Sequence, residues 1–273
     1  MHSGSADVLP VVICGAAGRM GRRLVALAHE DPALRVAAAV ESAGTAAIGQ
    51  DAGDLAAVGP IGVTVEADLA AVCRPEHVVI DFTVPAATVR HARIAADCGA
   101  GLVVGTTGLS PEEDAELRRQ AARTRAVLAA NYSVGITVLA ALVARAAALL
   151  DETFDAEIVE LHHHHKQDAP SGTALALGRV LVAARGGRFD DDRVLARAGL
   201  VGARRAGEIG IMGLRAGDVV GDHTVIFGGL GERLELVHRA QSRDCLVRGA
   251  LRAAAWVAGR APGVYGMRDV LGL

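Results

Sequence analysis

One lysine stands among the 28 basic residues of this 273-residue chain, and it follows four consecutive histidines, in Glu160-Leu161-His162-His163-His164-His165-Lys166-Gln167-Asp168-Ala169-Pro170-Ser171-Gly172-Thr173. Arginine keeps its proton in any ordinary protein site, whereas a lysine ammonium can give one up. Lys166 therefore reads as a proton donor, against the ordinary alternative of a solvated surface lysine. Its neighbours favour chemistry. Four imidazoles titrate in the physiological range, and Ser171-Gly172-Thr173 opens an apolar helical stretch whose first N–H groups and dipole attract an anion. For as long as a strand continues through the run, His162 and His164 face one way and His163 and His165 the other. That makes a four-histidine metal site geometrically poor, and no HExxH or cysteine pattern accompanies it, so no metal is expected. The cluster reads instead as a receptor for a ligand bearing carboxylates.

The elements that must position these groups follow from periodicity. An apolar run over 8–14 ends in Gly15-Ala16-Ala17-Gly18-Arg19-Met20-Gly21, a helical stretch covers 22–29, and a second apolar strand over 34–40 ends in Glu41. This is strand, glycine loop, helix, strand and acid, a βαβ unit that holds a pyrophosphate on backbone N–H groups and a ribose on the carboxylate. The loop has Ala17 where the strict dinucleotide pattern has glycine, and an ordinary tight turn is the alternative reading. Further strands are expected at 62–65, 77–81, 101–104 and 126–130, separated by helical stretches, so the sheet is parallel. Ligands in such sheets bind at the carboxyl ends of strands, where Gly105-Thr106-Thr107-Gly108 and Ala129-Ala130-Asn131-Tyr132-Ser133 lie. Ser110-Pro111-Glu112-Glu113 marks a capped helix start.

After Asn131 the pattern changes to an apolar helix over 136–150 and a strand over 154–161 with the histidine run at its exit. Strands over 208–215, 223–227 and 233–239 follow, joined by tight turns at 216–218 and 228–231. A helix over 245–257 returns to the first domain as cover. The fold class is thus α/β: a Rossmann-type parallel-sheet dinucleotide domain over 1–131 and 241–273, and a second α+β domain with an open mixed sheet over 132–240.

Composition narrows the partners. A net charge of −3 and 3% aromatic residues suit neither a nucleic-acid surface nor stacking platforms. Four cysteines without close pairing fit a reducing cytoplasm; the N-terminus shows no basic region followed by an apolar signal segment, and the longest apolar stretch, 134–150, carries Arg145 and is short for a span, so neither secretion nor membrane insertion is expected. Small molecules are the expected ligands.

Gly15 to Gly21, Asp81-Phe82-Thr83, Gly105-Thr106-Thr107-Gly108, Asn131-Tyr132-Ser133-Val134-Gly135, the stretch 160–174, Arg215-Ala216-Gly217-Asp218-Val219-Val220-Gly221-Asp222-His223-Thr224 and Gly266-Met267-Arg268-Asp269-Val270-Leu271 resemble the dihydrodipicolinate reductase family nearly end to end. The resemblance implies reduction of the cyclic dicarboxylate 4-hydroxy-tetrahydrodipicolinate, with loss of water, by NADH or NADPH in diaminopimelate and lysine synthesis. It implies His162 as proton donor or acceptor and Lys166 as a second proton donor, with His163, Gly172 and Thr173 holding substrate carboxylate. The cofactor residues are then Gly15, Ala16, Ala17, Gly18, Arg19, Met20, Glu41, Gly105, Thr106, Thr107, Ala129, Ala130, Asn131 and Tyr132, and the assembly a homotetramer. Some family members follow the strand-two acid with arginine, a ligand for the extra phosphate of NADPH, whereas this chain has Ser42. Use of NADH, with NADPH also accepted, is expected. The alternatives are a Rossmann dehydrogenase acting on an amino-acid semialdehyde, which the histidine run disfavours, a non-catalytic nucleotide-sensing module, and a histidine-rich metal binder.

Overall fold

The computed structural model describes residues 8–273. The beginning of the segment read above for a leader, residues 1–7, lies outside them. In chain order the first unit runs β1 (Leu9–Cys14), α1 (Arg19–Glu30), β2 (Leu34–Val40), α2 (Ala52–Leu55), β3 (Val65–Glu66), α3 (Leu69–Val72), β4 (Val78–Asp81), α4 (Pro85–Cys98), β5 (Gly101–Val104), α5 (Pro111–Ala121) and β6 (Arg125–Leu128). The second unit, Val134–Arg243, holds α6 (Val134–Leu149), β7 (Asp155–His162), α7 (Gly172–Ala184), α8 (Phe189–Asp192), β8 (Arg193–Val194), β9 (Ile209–Arg215), β10 (Gly221–Gly228) and β11 (Arg233–Ala240). The chain then returns to the first unit through α9 (Asp244–Ala258), β12 (Gly263–Tyr265) and α10 (Met267–Leu271).

The first unit is a seven-stranded parallel sheet in the order β12-β6-β5-β4-β1-β2-β3. Its central strands read as near-continuous apolar runs because helices cover both faces, and Val11, Val12, Ile13, Val78, Val79 and Ile80 are fully buried. The helix start at Ser110 is capped in both directions: Ser110 Oγ accepts from the Glu113 N–H at 3.2 Å, and the Glu113 carboxylate accepts from the Ser110 N–H at 2.8 Å. Helix α9 lays Val247, Ala250, Leu251 and Ala254 into this unit.

The second unit is a five-stranded mixed sheet, β11-β10-β7-β9-β8, with α6 and α7 packed on one face. Both parts of the expected fold class are present. One local expectation is corrected, and two gain their tertiary setting. The strand expected at 62–65 forms only as β3, Val65–Glu66, because Val63 and Thr64 instead close the turn around Asp51. Strands β9 and β10 are joined by the expected turn at 216–218 but are not neighbours: β7 lies between them, parallel to β9 and antiparallel to β10. The turn after β9 crosses the end of β7, with the His163 and His164 N–H groups donating to the Val219 and Gly217 carbonyls and Ala216 N–H to the His162 carbonyl. That strap ends β7 at His162, so the strand on which alternation of the histidines depends reaches only the first of them.

Candidate active site

Side chains on one face of a strand recur every second residue, and on the helix-covered face of the second unit three strands change character at the same level. Along β7 this face carries Ala156, Ile158, Glu160 and His162; along β10, Phe227, Val225, His223 and Gly221; along β9, Ile209, Ile211, Gly213 and Arg215. The apolar members pack under α6 and α7 with Leu139, Val143, Leu177 and Leu181. The polar members meet at the end where α7 begins.

Glu160 is the centre of this cluster and is fully buried. One oxygen is hydrogen-bonded to His162 Nδ1, Arg215 Nη1 donates to both oxygens at 3.0 Å, and the Ser171 N–H donates at 3.0 Å. A buried carboxylate needs such partners, since burying an unpaired charge is prohibitive. Space for the pair comes from the flanking strands. A Cβ on Gly213 would lie 2.8 Å from Glu160 Oε1, and one on Gly221 2.9 Å from His162 Nε2. Sequence reading gave Glu160 no role, although its two-residue offset from His162 is the strand-face signal for contact.

His223 packs edge-on against His162 with ring centroids 5.3 Å apart, and its Nε2 lies 3.2 Å from Ser171 Oγ. Burial first, then the neighbouring charge of His162, pushes its pKa down to about 4, against the opposing pull of Glu160. His163 is lowered too, by desolvation and by Arg243, His165, His162 and Lys166. Its ring and that of His164 lie tilted against His165, with centroids 6.2 and 3.9 Å from it.

Lys166 Nζ is held by Asp168, 2.8 and 3.0 Å from the two carboxylate oxygens, and is 21% exposed. The ammonium keeps the Asp168 carboxyl below the usual carboxylate range. Arg215 Nη2 donates to the Asp168 carbonyl at 2.5 Å. His162, Glu160, Arg215, Asp168 and Lys166 thus form one connected chain of contacts. At Ser171 the side chain caps α7 by accepting from Ala174 N–H at 3.1 Å. Gly172 follows, with nothing within 4 Å of where its Cβ would be. The N–H groups of Gly172 and Thr173 open the helix, where anions bind.

The first unit carries the groups expected to hold a dinucleotide. Gly15 adopts φ +72°, and a Cβ on Gly21 would lie 2.0 Å from the Gly15 carbonyl oxygen, so the loop folds back on the helix only with glycine there. Ala17 keeps an ordinary φ, which explains why alanine is accepted at that point of the loop. Glu41 grips the same loop: its carboxylate accepts from Ala17 N–H at 3.1 Å and from Ser42 N–H at 2.8 Å. Gly18 precedes α1 without a side-chain cap, no acid lies in the first turn, and Arg19 and Arg22 are exposed beside it. These features fit a pyrophosphate at the helix start and a ribose at Glu41.

The loop after β5 rests on a second buried acid that sequence reading quoted without a role, and the loop after β6 on a buried tyrosine. Asp81 closes β4; its Oδ1 accepts from Thr83 N–H at 2.8 Å, Thr83 Oγ1 at 2.6 Å and Thr88 Oγ1 at 3.1 Å, while Oδ2 meets His91 Nδ1 at 2.6 Å. Burial opposes its ionisation, but these partners hold its pKa low. Thr106 joins this network through Thr88 at 2.6 Å, leaving Thr107 exposed at the loop tip. Cys14, Asp81 and His91 bring potential ligand atoms within 4.8 Å of one another. Burial pushes the Cys14 thiol well up, which keeps it protonated, and the Asp81 oxygens already have partners. Ala129 N–H donates to the Val104 carbonyl at 3.1 Å, and Asn131 Oδ1 accepts from Ser133 N–H at 2.8 Å. Tyr132 is buried, and its hydroxyl is bonded to the carbonyls of Val104 and Val127 at 2.8 and 2.9 Å, so its ring anchors this loop to β5 and β6.

The model of the dihydrodipicolinate reductase N-terminus matches residues 9–132, and that of the C-terminus residues 135–271. A 4-hydroxy-tetrahydrodipicolinate reductase of Anaeromyxobacter dehalogenans is 52% identical over 263 residues, 96% of this chain and 97% of the relative. One from Rhodopseudomonas palustris is 48% identical over the same shares. The dipicolinate-bound dihydrodipicolinate reductase of Paenisporosarcina sp. TG-14 shares the fold, with a TM-score of 0.74 at 23% identity over 96% of this chain and 99% of that one. The residues gathered around Glu160 and the glycine loop gripped by Glu41 therefore sit in a chain whose two halves both match one enzyme family; it belongs to the dihydrodipicolinate reductases.

Proposed function

We propose that this chain reduces 4-hydroxy-tetrahydrodipicolinate to tetrahydrodipicolinate with NADH or NADPH, in diaminopimelate and lysine synthesis. The observation that carries the reading is that one buried carboxylate, Glu160, joins an imidazole able to move a proton to the helix start able to hold a carboxylate. Full-length relatives at about half identity bear the name of this activity. When bound, the nicotinamide supplies a hydride. The chain's own residues then have three tasks. Gly172 and Thr173 hold one substrate carboxylate at the start of α7, and His163 is assigned to the same carboxylate. His162 and Lys166 give or take protons as water leaves and as electron density builds on the ring nitrogen or adjacent carbon, and their positive charge stabilises that density. Gly15 to Met20 and Glu41 hold the dinucleotide, with the loops at 105–107 and 129–132 completing its site.

Ser42 after Glu41 leaves no arginine for a ribose phosphate at that point, and the acid favours an unphosphorylated ribose. NADH is therefore used, and NADPH also, with Arg19 offsetting part of the repulsion. The outer face of the second sheet carries Val159, Leu161, Met212, Leu214, Ile226 and Val237, of which Leu214 and Val237 are 52% and 43% exposed. We assign that face to contacts between copies in a homotetramer, read by light scattering of the purified chain, and place the enzyme in the cytoplasm. Among the described residues no helix is long and apolar enough to cross a membrane. The activity is tested by offering the condensation product of pyruvate and aspartate semialdehyde and following reduced nicotinamide. Oxidation dependent on that product supports the reading; its absence with both cofactors contradicts it.

A further inference from the structure

The geometry points to Glu160 as the positioning residue of the reaction: by accepting the proton on His162 Nδ1 it leaves Nε2 as the face of the imidazole that exchanges a proton with substrate. This rests on the reading of His162 as the acid–base group. A neutral imidazole carries its proton on one nitrogen only, and the partner of that nitrogen decides which. Here Nδ1 is paired with a fully buried carboxylate, and no protein group among the described residues hydrogen-bonds Nε2. The absent Cβ of Gly221 leaves room for the Nε2 edge, and Gly213 leaves room for the carboxylate.

The carboxylate is itself fixed from three elements. Arg215 on β9 donates to both oxygens, the Ser171 N–H before α7 donates to one, and the β7 backbone carries the side chain. Arg215 also reaches the Asp168 carbonyl, and Asp168 holds Lys166. The charged and titratable groups around His162 include Glu160 on its own strand, Arg215 on β9, His223 on β10 with His238 behind it on β11, and His163 and Lys166 on the following loop. Glu160 is the one anion of this set in contact with the ring. One side chain therefore sets the imidazole tautomer and the distance from the imidazole to the carboxylate-holding helix start.

Glu160→Gln keeps the shape and removes the charge, and its amide can turn an N–H toward Nδ1. In the ligand-free chain with nitrogen-15 histidine, the wild-type His162 signal is expected in the Nδ1–H form, and Glu160→Gln is expected to lose that bias. Turnover falls by about 10²–10⁴-fold, the range of positioned acid–base catalysis. A merely structural role leaves the tautomer unmoved. Should Glu160→Gln fail to fold, Gly213→Ala leaves the charge in place but displaces Oε1, and is expected to lower kcat and weaken the Nδ1–H preference. His162→Gln separates the two readings. If it leaves turnover intact, the assignment of His162 fails, while the nitrogen-15 spectra still report Glu160's control of the tautomer. If His162→Gln abolishes turnover but folded Glu160→Gln or Gly213→Ala keeps the wild-type tautomer, the positioning role is overturned.

Discussion

Folding of the second unit should weaken in mild acid because of one imidazole. His223 is 4% exposed, and burial together with the charge of His162 pushes its pKa down to about 4. In the unfolded chain a histidine titrates near 6.5. Between these values the unfolded state binds the proton and the folded state does not, so stability is whole above about pH 6.5 and falls as pH drops toward about 4. At about 1.36 kcal/mol per pH unit the full loss is about 3 kcal/mol, of which about 2 kcal/mol is gone at pH 4.5 relative to pH 7. His223→Leu removes the titration while filling the site with an apolar group. Urea unfolding of both proteins at the two pH values gives the difference, since carboxylates elsewhere titrate equally in both. Wild type should lose about 2 kcal/mol more than the variant on acidification. An equal loss in both would refute the reasoning, because it would mean that His223 accepts its proton in the folded state at no cost.

Other outcomes follow from the first unit. Gly21→Ala places a Cβ 2.0 Å from the Gly15 carbonyl oxygen, so the glycine loop must open; KM for the nicotinamide cofactor should rise at least about tenfold, as expected when a close backbone approach is lost. Ser42→Arg should raise kcat/KM for NADPH about tenfold relative to NADH, a change measured by steady-state kinetics with each cofactor, since it adds a cation next to Glu41, the acid proposed to hold the ribose. Tyr132→Phe removes the donor to the Val104 and Val127 carbonyls and should cost about 1–3 kcal/mol of stability in thermal or urea unfolding.

The fold was legible where local pattern and tertiary setting agree. The βαβ unit read correctly because apolar runs, the glycine loop and Glu41 all describe one parallel sheet buried on both faces. The turn between β9 and β10 was legible, but not the order of the strands, because a tight turn specifies local reversal and cannot report that a distant strand, β7, enters between the two. The histidine run was visible at once, but its geometry was not, since the strap from 216–220 that ends β7 is a long-range contact. Glu160 and Asp81 went without roles because their partners, Arg215, Ser171, His91 and Thr106, come from elsewhere in the chain. A period-two reading of β7 would have placed Glu160 beside His162. Nothing local announced Arg215.

The central claim is that the sole lysine gives up a proton during reduction, and Lys166→Arg tests it most directly. Arginine keeps the positive charge and can still reach Asp168, but it does not release a proton near neutral pH. The measurement is kcat of the variant for the pyruvate–aspartate semialdehyde condensation product, taken with the dissociation constant of dipicolinate, a planar ring dicarboxylate. The account predicts turnover lowered by about 10²–10⁴-fold with dipicolinate binding nearly unchanged. Turnover equal to wild type, with binding also unchanged, would contradict it and leave Lys166 as a charge alone.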